Sequence, residues 1–260
     1  MAQVVPASWM PSVAMKRIHV HWSAGGYTAN ATDKNAYHIL IQGDGSLVRG
    51  NKSIAANAAG SGLPQASHTK NANTGAIGVS ICSMMQAVES PFSAGPAPLL
   101  QVQWNRMVAV VADLADFYGI PVTPVTILTH AEVQPNLGIQ QNAKWDIVRL
   151  PFLAAVVGHK AVVGHKAVGD KLRLEVAQVL DGVQPGPGPI PRDMRLPRFR
   201  VFGVAPSTLN FRASPGGEKK GALPEGTIVE KLSASGDWWQ VRTPAGFVGW
   251  VAHSFLKAIV

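Results

Sequence analysis

Cysteine is nearly absent from this chain of 260 residues, which contains only Cys82. A single cysteine cannot form an internal disulfide framework, and it cannot supply a zinc site built from several thiolates. If the chain holds a metal ion, the ligands therefore have to come from histidine and carboxylate side chains.

Charged residues are also scarce, at 15% of the sequence, whereas apolar residues make up 47%. This composition argues against intrinsic disorder and against a charged coiled coil. The charges are unbalanced, with 23 basic and 15 acidic residues, which favours a polyanionic partner. Nucleic acid is not expected to be that partner, because the first part of the chain has neither a basic helix nor an aromatic-basic platform.

The sequence has no apolar run approaching the roughly 20 residues that a membrane span needs. The apolar stretch Leu150–Val157 is short, is interrupted by Pro151 and is followed by Gly158. Residues Met1–Pro11 show no basic segment followed by an apolar one, which is the pattern of a secretory signal peptide. We therefore expect a protein without an integral membrane segment that is made in a cytoplasm without a signal peptide.

Proline and glycine alternate from Gln184 to Pro191, and such a segment cannot continue a helix or a central strand. It predicts a linker over residues 184–198 between a first domain, 1–183, and a second, 199–260. Residues 191–260 hold 10 basic and 5 acidic residues, so 10 − 5 = +5 of the total net charge of +8 lies in this smaller part.

The first domain combines strand and helix patterns, which predicts a mixed α/β fold with a central sheet flanked by helices. Gly43–Gly45 has the composition of a hairpin turn, and Gly119 is placed to end a helix. A six-residue duplication over 156–167 is interpreted as a surface connection. The predicted strands are Arg17–Trp22, Tyr37–Gln42, Ile77–Ser83 and Val125–Leu128, and the predicted helices are Leu100–Tyr118 and Gly169–Leu180.

The second domain consists of short apolar segments separated by turn residues every 8–12 positions. This spacing predicts a small all-β barrel. Three tryptophans, Trp238, Trp239 and Trp250, together with Phe247, either line a binding surface or form the core of the barrel. The pattern alone leaves both interpretations open.

Several histidine motifs in the first domain have the residue types of a metal or catalytic site. They are His19–Gly25, Ala36–Gly45, Ala66–His68 before Gly75–Val79, and Thr129–Pro135 with Lys144–Asp146 further on. In a strand, His19 and His21 face the same side. Each motif is weak when taken singly, because a lone histidine is more often a structural residue than a ligand.

In this order, the motifs resemble those of the zinc-dependent N-acetylmuramoyl-L-alanine amidases, a superfamily that includes phage lysozymes and peptidoglycan-recognition proteins. The resemblance covers about residues 15–150. The second domain is similar to bacterial SH3-type domains, on the pattern Leu209–Arg212, Leu223–Thr227, Asp237–Arg242 and Gly246–Val251. Such domains commonly accompany cell-wall hydrolases.

The resemblance implies three zinc ligands: His21, His130 and Asp146. It makes His19 a neighbour of the first ligand on the strand. It also implies catalytic roles for Tyr37 and Lys144, and it places His68 in the substrate groove. Glu132 is an alternative general base, although a supporting role is favoured for it.

Three features depart from the family pattern. Sixteen positions separate His130 from Asp146, with Asn136–Asn142 as the apparent insertion. The residue after the third ligand is Ile147, where glycine or proline is usual. Ser80 stands where some relatives carry a catalytic glutamate, which makes Tyr37 and Lys144 the better catalytic candidates.

The resemblance therefore implies a peptidoglycan hydrolase that uses zinc-activated water to cleave the amide between N-acetylmuramic acid and L-alanine. A phage or prophage endolysin is expected, made in a bacterial host and acting at the cell wall after release. We expect a monomer whose SH3-like domain binds the wall through Trp238, Trp239 and Trp250. A non-catalytic peptidoglycan-binding protein is the alternative.

Overall fold

The computed structural model describes residues 3–154, 162–182, 198–243 and 247–259. The chain divides into two compact units, Met1–Gly186 and Pro187–Val260. Most of the predicted linker, and the first copy of the duplicated hexamer, lie outside the described residues. The domain boundaries of the sequence analysis therefore stay a prediction.

The first unit contains a five-stranded sheet in the order β3-β2-β4-β1-β5, in which only β3 is antiparallel to its neighbour. All but the first residue of the interior strand β1 are buried, as expected for a strand covered on both faces. The strands are β1 (Arg17–Trp22), β2 (Ile39–Ile41), β3 (Leu47–Arg49), β4 (Ala76–Ile81) and β5 (Ile127–Thr129).

The longest helix of the first unit packs against the sheet and against the last helix of that unit. Its predicted end is confirmed, because Gly119 adopts the left-handed conformation (φ 62°) that glycine accommodates without strain. The helices are α1 (Ala31–Ala36), α2 (Gln101–Tyr118), α3 (His130–Leu137), α4 (Pro151–Ala154) and α5 (His165–Leu180).

Two local predictions for the first unit need correction. The duplicated hexamer is not simply a surface connection, because its second copy ends inside α5, which begins at His165. The short helix α3 is not among the predicted elements, and it contains Pro135, a residue that normally interrupts helices. The pair Thr129 and Glu132 forms a capping box at its start, and this pattern is readable in the sequence.

The second unit is a seven-stranded antiparallel sheet in the order β12-β6-β9-β10-β11-β7-β8. Its core consists of aliphatic side chains and Phe211, with Phe199 and Trp239 packed against it. The predicted fold class, a mixed α/β unit followed by a small all-β unit, is confirmed. The strands are β6 (Arg198–Val201), β7 (Thr208–Arg212), β8 (Lys219–Pro224), β9 (Ile228–Ser235), β10 (Trp238–Arg242), β11 (Val248–Ala252) and β12 (Leu256–Ala258).

Among the described residues, no helix combines the length and the hydropathy needed to cross a membrane.

Candidate metal centre

The fold brings together three potential metal ligands from distant parts of the sequence: His21, His130 and Asp146. His21 lies near the carboxyl end of the interior strand β1, and His130 is the first residue of α3, directly after the neighbouring strand β5. Carboxyl ends of adjacent parallel strands meet at one edge of a sheet, where ligand sites are common.

Asp146 reaches the same place from the loop after α3. Its backbone carbonyl accepts a hydrogen bond of 2.7 Å from the N–H of Ala131. The preceding residue, Trp145, packs its ring edge-on against Trp22 of β1, with 4.8 Å between ring centroids. These two contacts hold the carboxylate beside the histidines despite the long spacing from His130.

The three side chains present their atoms at nearly equal separations. His21 Nδ1 lies 3.1 Å from His130 Nδ1 and 3.0 Å from Asp146 Oδ2, and His130 Nδ1 lies 3.2 Å from Asp146 Oδ2. Ligand atoms about 2.0–2.1 Å from a tetrahedral metal ion lie roughly 3.3 Å from one another. The donor set and its spacing therefore fit a small divalent ion.

Burial and hydrogen bonding together set the charges of this cluster. Desolvation lowers the pKa of His21 to about 4, although the hydrogen bond with Asp146 opposes the shift. For Asp146, burial alone would raise the pKa, but hydrogen bonds from His130 and His21 outweigh it and lower the pKa to about 2. At neutral pH the cluster thus offers a neutral His21 imidazole and a carboxylate, which are the ligand forms that metals bind.

The ring nitrogen of His130 that faces away from the cluster, Nε2, also has a hydrogen-bond partner. His130 Nε2 lies 3.0 Å from Oε1 of Gln141, a residue that is only 8% exposed. Gln141 was not among the predicted site residues, because it lies in Asn136–Asn142, the apparent insertion relative to the family pattern.

The two predicted catalytic residues lie beside the cluster. The Tyr37 ring is half-buried, 5.1 Å from the His21 ring between centroids. Burial and the charge of Asp146 raise the pKa of its phenol, so the phenol keeps its proton at neutral pH. Lys144 is exposed and lines, with His130, Gln134 and His165 among others, a pocket of about 320 Å³. The structure places both residues near the ligands, and their catalytic roles remain predictions.

His68 is buried rather than open to solvent, with 6% of its surface exposed. Its ring stands edge-on to His21 at 5.3 Å, and it also contacts the rings of His19 and His38. Burial lowers the pKa of all four of these histidines. His68 thus packs against a metal ligand, and its contact with substrate stays a prediction.

Glu132 has a structural partner that removes it from consideration as a base. It is 1% exposed, and its two carboxylate oxygens accept hydrogen bonds of 2.9 and 3.1 Å from Arg173 of α5. A Cβ atom added at Gly169 would come within 2.1 Å of the same carboxylate. The pair therefore joins α3, which carries His130, to α5.

The three tryptophans proposed for wall binding do not share an environment. Trp239 packs against the core of the second unit and stacks on His253 at 5.1 Å between ring centroids. Trp238 and Trp250 are half-buried on the opposite side of their strands, as the alternation with Val241 and Val251 requires. Phe247 is 67% exposed. The structure thus separates one core tryptophan from two on the surface.

A buried His-His-Asp cluster at the edge of a mixed sheet is a site of the kind that metal-dependent hydrolases use. The model of the N-acetylmuramoyl-L-alanine amidase family matches residues 11–170, and the bacterial SH3 domain model matches residues 207–257. The chain belongs to the N-acetylmuramoyl-L-alanine amidase family. It is a peptidoglycan amidase that carries a bacterial SH3 domain, and the non-catalytic alternative is not favoured.

Two solved structures are similar to part of the chain. The endolysin of the Thermus scotoductus MAT2119 bacteriophage Ph2119 is 14% identical, with 54% of this chain and 82% of that chain covered and a TM-score of 0.34. The N-acetylmuramoyl-L-alanine amidase LysC of Clostridium intestinale URNW is 15% identical, with 54% and 95% covered and a TM-score of 0.31. No curated protein matches the sequence.

Proposed function

We propose that the amidase works with a zinc ion held by His21 Nδ1, His130 Nδ1 and Asp146 Oδ2. Two imidazole nitrogens and one carboxylate oxygen form a donor set that suits zinc, and a fourth position remains for water or substrate. The observation that carries the proposal is the near-equal separation of the three buried donor atoms, 3.0–3.2 Å.

A bound zinc ion polarises a carbonyl group and lowers the pKa of a bound water to about 7. The bond to be cleaved is the amide between the lactyl group of N-acetylmuramic acid and L-alanine. An amide is a poor electrophile, and negative charge develops on its oxygen as water adds. The chain therefore needs donors close to that oxygen and a proton source for the departing amine.

Lys144 and Tyr37 are suited to these two tasks. The ammonium group of Lys144 is exposed on the rim of the pocket that includes His130, where a positive charge can stabilise the developing oxyanion. The Tyr37 phenol keeps its proton because burial raises its pKa. It can therefore donate a hydrogen bond to the same oxygen or pass a proton to the leaving nitrogen.

The second unit is proposed to hold the enzyme on the cell wall. Trp238 and Trp250 lie on neighbouring strands, and both side chains are half-exposed. The guanidinium carbon of Arg212 lies 5.7 Å from the centroid of the Trp238 ring. Aromatic and basic groups on one face suit an anionic, sugar-containing polymer. A tethered wall-binding module raises the effective concentration of the enzyme at its substrate.

An amidase joined to a bacterial SH3 domain is a combination suited to lysis of a host wall. We therefore propose that the protein is an endolysin that is synthesised in a bacterial host and acts after release to the wall. Cytoplasmic expression should leave cells intact until the membrane is permeabilised. Lysis without permeabilisation would contradict this role.

The experiment that tests the zinc proposal is digestion of purified peptidoglycan with and without a chelator. The wild type should release stem peptides with a free L-alanine amine, lose activity with the chelator, and regain it with zinc. Asp146→Ala should bind no zinc and be inactive. The control Asp116→Ala, on the exposed side of α2, should behave as wild type. Full activity after chelation would overturn the proposal.

A further inference from the structure

We propose that Gln141 is a positioning residue that fixes the tautomer of His130 so that its Nδ1 lone pair faces the metal. This inference rests on the proposed zinc function. It concerns a residue that the family pattern places in an insertion, Asn136–Asn142.

The tautomer follows from the hydrogen bonds of the Gln141 amide. Its Nε2 donates to the carbonyls of Lys70, at 3.0 Å, and Ile139, at 3.3 Å. Two carbonyls can only accept, so the amide nitrogen must face them and Oε1 must face His130. Because Oε1 can only accept, the hydrogen bond of 3.0 Å to His130 Nε2 requires a proton on that nitrogen.

A neutral imidazole with its proton on Nε2 has its lone pair on Nδ1. His130 Nδ1 is the atom that lies 3.1 Å from His21 Nδ1 and 3.2 Å from Asp146 Oδ2. Gln141 therefore selects the form of His130 that can bind a metal ion through Nδ1. Partners of this kind orient ligand rings and increase metal affinity about 10–100-fold.

The loop itself is built to hold Gln141 in place. The helix α3 ends at Gly138, whose left-handed conformation (φ 69°) turns the chain back. The backbone N–H of Gln141 then donates to Gln134 Oε1 at 2.9 Å. Gln141 is therefore held at its backbone by Gln134 of α3 and at its side-chain amide by the carbonyl of Lys70.

The other proposed histidine ligand, His21, also has a hydrogen-bond partner on its far nitrogen, but the contact is weaker than that of Gln141 with His130. His21 Nε2 lies 3.5 Å from the hydroxyl of Thr69, which also stands 3.1 Å from His19 Nδ1 and 2.9 Å from His68 Nδ1. One hydroxyl shared among three rings at these distances constrains His21 less than Gln141 constrains His130. Gln141 is therefore the residue whose removal should affect metal binding more.

The test measures zinc affinity of the full chain by competition with a chromophoric chelator. Gln141→Met keeps the volume but removes the acceptor, and the zinc Kd should rise about 10–100-fold. Gln141→Glu keeps an acceptor for the Nε2 proton but loses the donor to the carbonyls of Lys70 and Ile139, so its Kd should lie between those of the wild type and Gln141→Met. The control is Asn142→Ala, whose exposed side chain accepts from Lys70 Nζ at 3.2 Å and touches no ligand, and it should not change the Kd.

A second measurement needs no variant. Long-range proton–nitrogen NMR spectra of the zinc-loaded wild type should show the His130 proton on Nε2. A proton on Nδ1, or an unchanged Kd in Gln141→Met, would overturn the inference while leaving zinc binding intact. A wild type that binds no zinc would overturn the proposed function itself, and the inference with it.

Discussion

The two units of this chain fill their interiors differently. Every buried polar or charged side chain among the described residues belongs to the first unit, from His19 to Arg173. In the described part of the second unit, the core is aliphatic apart from Phe211 and the packed rings of Phe199 and Trp239. Its polar groups and several of its aromatic rings are at the surface.

The difference agrees with the roles proposed for the two units. Binding an ion requires charged and polar groups that are withdrawn from water, and leaving such a charged group unpaired is costly. The first unit therefore surrounds its ligands with partners such as Gln141 and Thr69. Holding a polymer requires only an exposed face on a stable barrel.

Acid should affect the first unit far more than the second, and this is the largest effect we expect. Burial lowers the pKa of His19, His21, His38 and His68, to about 4 for His21 and His38. Unfolding returns each pKa to about 6.5, so the unfolded state binds more protons below that pH. The free energy of unfolding should therefore fall as the pH drops from about 6.5 towards 4.

Calorimetry of the metal-free full chain at pH 7 and pH 5 measures this effect. The transition of the first unit should move to lower temperature, whereas that of the second, which has no buried histidine among its described residues, should stay. Trp239→Ala identifies the second transition by shifting it. Equal shifts of both transitions at pH 5 would contradict the contrast between the units.

The buried ion pair of the first unit should be the most sensitive single contact. Arg173→Ala leaves the Glu132 carboxylate buried without its partner, so we expect a loss of about 3–5 kcal/mol in the free energy of unfolding. Lys166→Ala is the control, because its pair with Asp170 is exposed and should be worth at most about 0.5 kcal/mol. The double variant Arg173→Met with Glu132→Gln should recover much of the loss. Similar small effects for both alanine variants in urea unfolding would show that burial does not distinguish the two pairs.

Replacing Lys144 should lower kcat without changing the stability of the fold. Removing one donor to a developing oxyanion costs about 100–1000-fold in kcat, and the exposed position of Lys144 predicts an unchanged Tm for Lys144→Ala. Lys16→Ala changes an exposed lysine before β1, at the end of that strand away from His21, and should keep full activity. A kcat for Lys144→Ala within a few-fold of wild type would remove this residue from the proposed mechanism.

The smallest effects are expected in the second unit. There, replacing a surface tryptophan should affect wall binding, whereas replacing the core tryptophan should affect stability. Trp250→Ala should weaken sedimentation with purified cell walls by up to about tenfold, since a half-exposed indole contributes on the order of 1 kcal/mol. The Trp250→Ala substitution should change the Tm of the barrel only slightly. Trp239→Ala should lower the Tm of the barrel instead, because that ring packs on the core. If Trp239→Ala lowered only wall binding, the assignment of the two faces would be wrong.

Local sequence patterns were sufficient for much of the fold. Strand β1 was predicted with its observed bounds, and the long helix α2 was predicted to end at Gly119, as it does. Alternation along β10 separates Trp238 from Trp239, but only the packed barrel shows that Trp239 is the inner one. Helix α3 could have been found from its capping box, which outweighs the proline inside it.

The contacts that support the site could not be predicted from local sequence patterns. Glu132 and Arg173 are separated by 41 positions, and Gln141 is held by a carbonyl 71 positions away. No periodicity or spacing rule links residues at such distances. The long interval before Asp146 looked like a departure from the family pattern, whereas its loop carries the glutamine that orients His130.

The sequence by itself determined the kinds of ligand available, their order along the chain and the strand that carries His21, because these depend on local composition and on neighbouring residues. Only the tertiary structure decided that His21 and His130, 109 positions apart, place their Nδ1 atoms 3.1 Å from each other and beside Asp146. It also decided the tautomer of His130, through the amide of Gln141. Burial, proton positions and distances between remote side chains arise from packing, and packing exists only once the whole unit has folded.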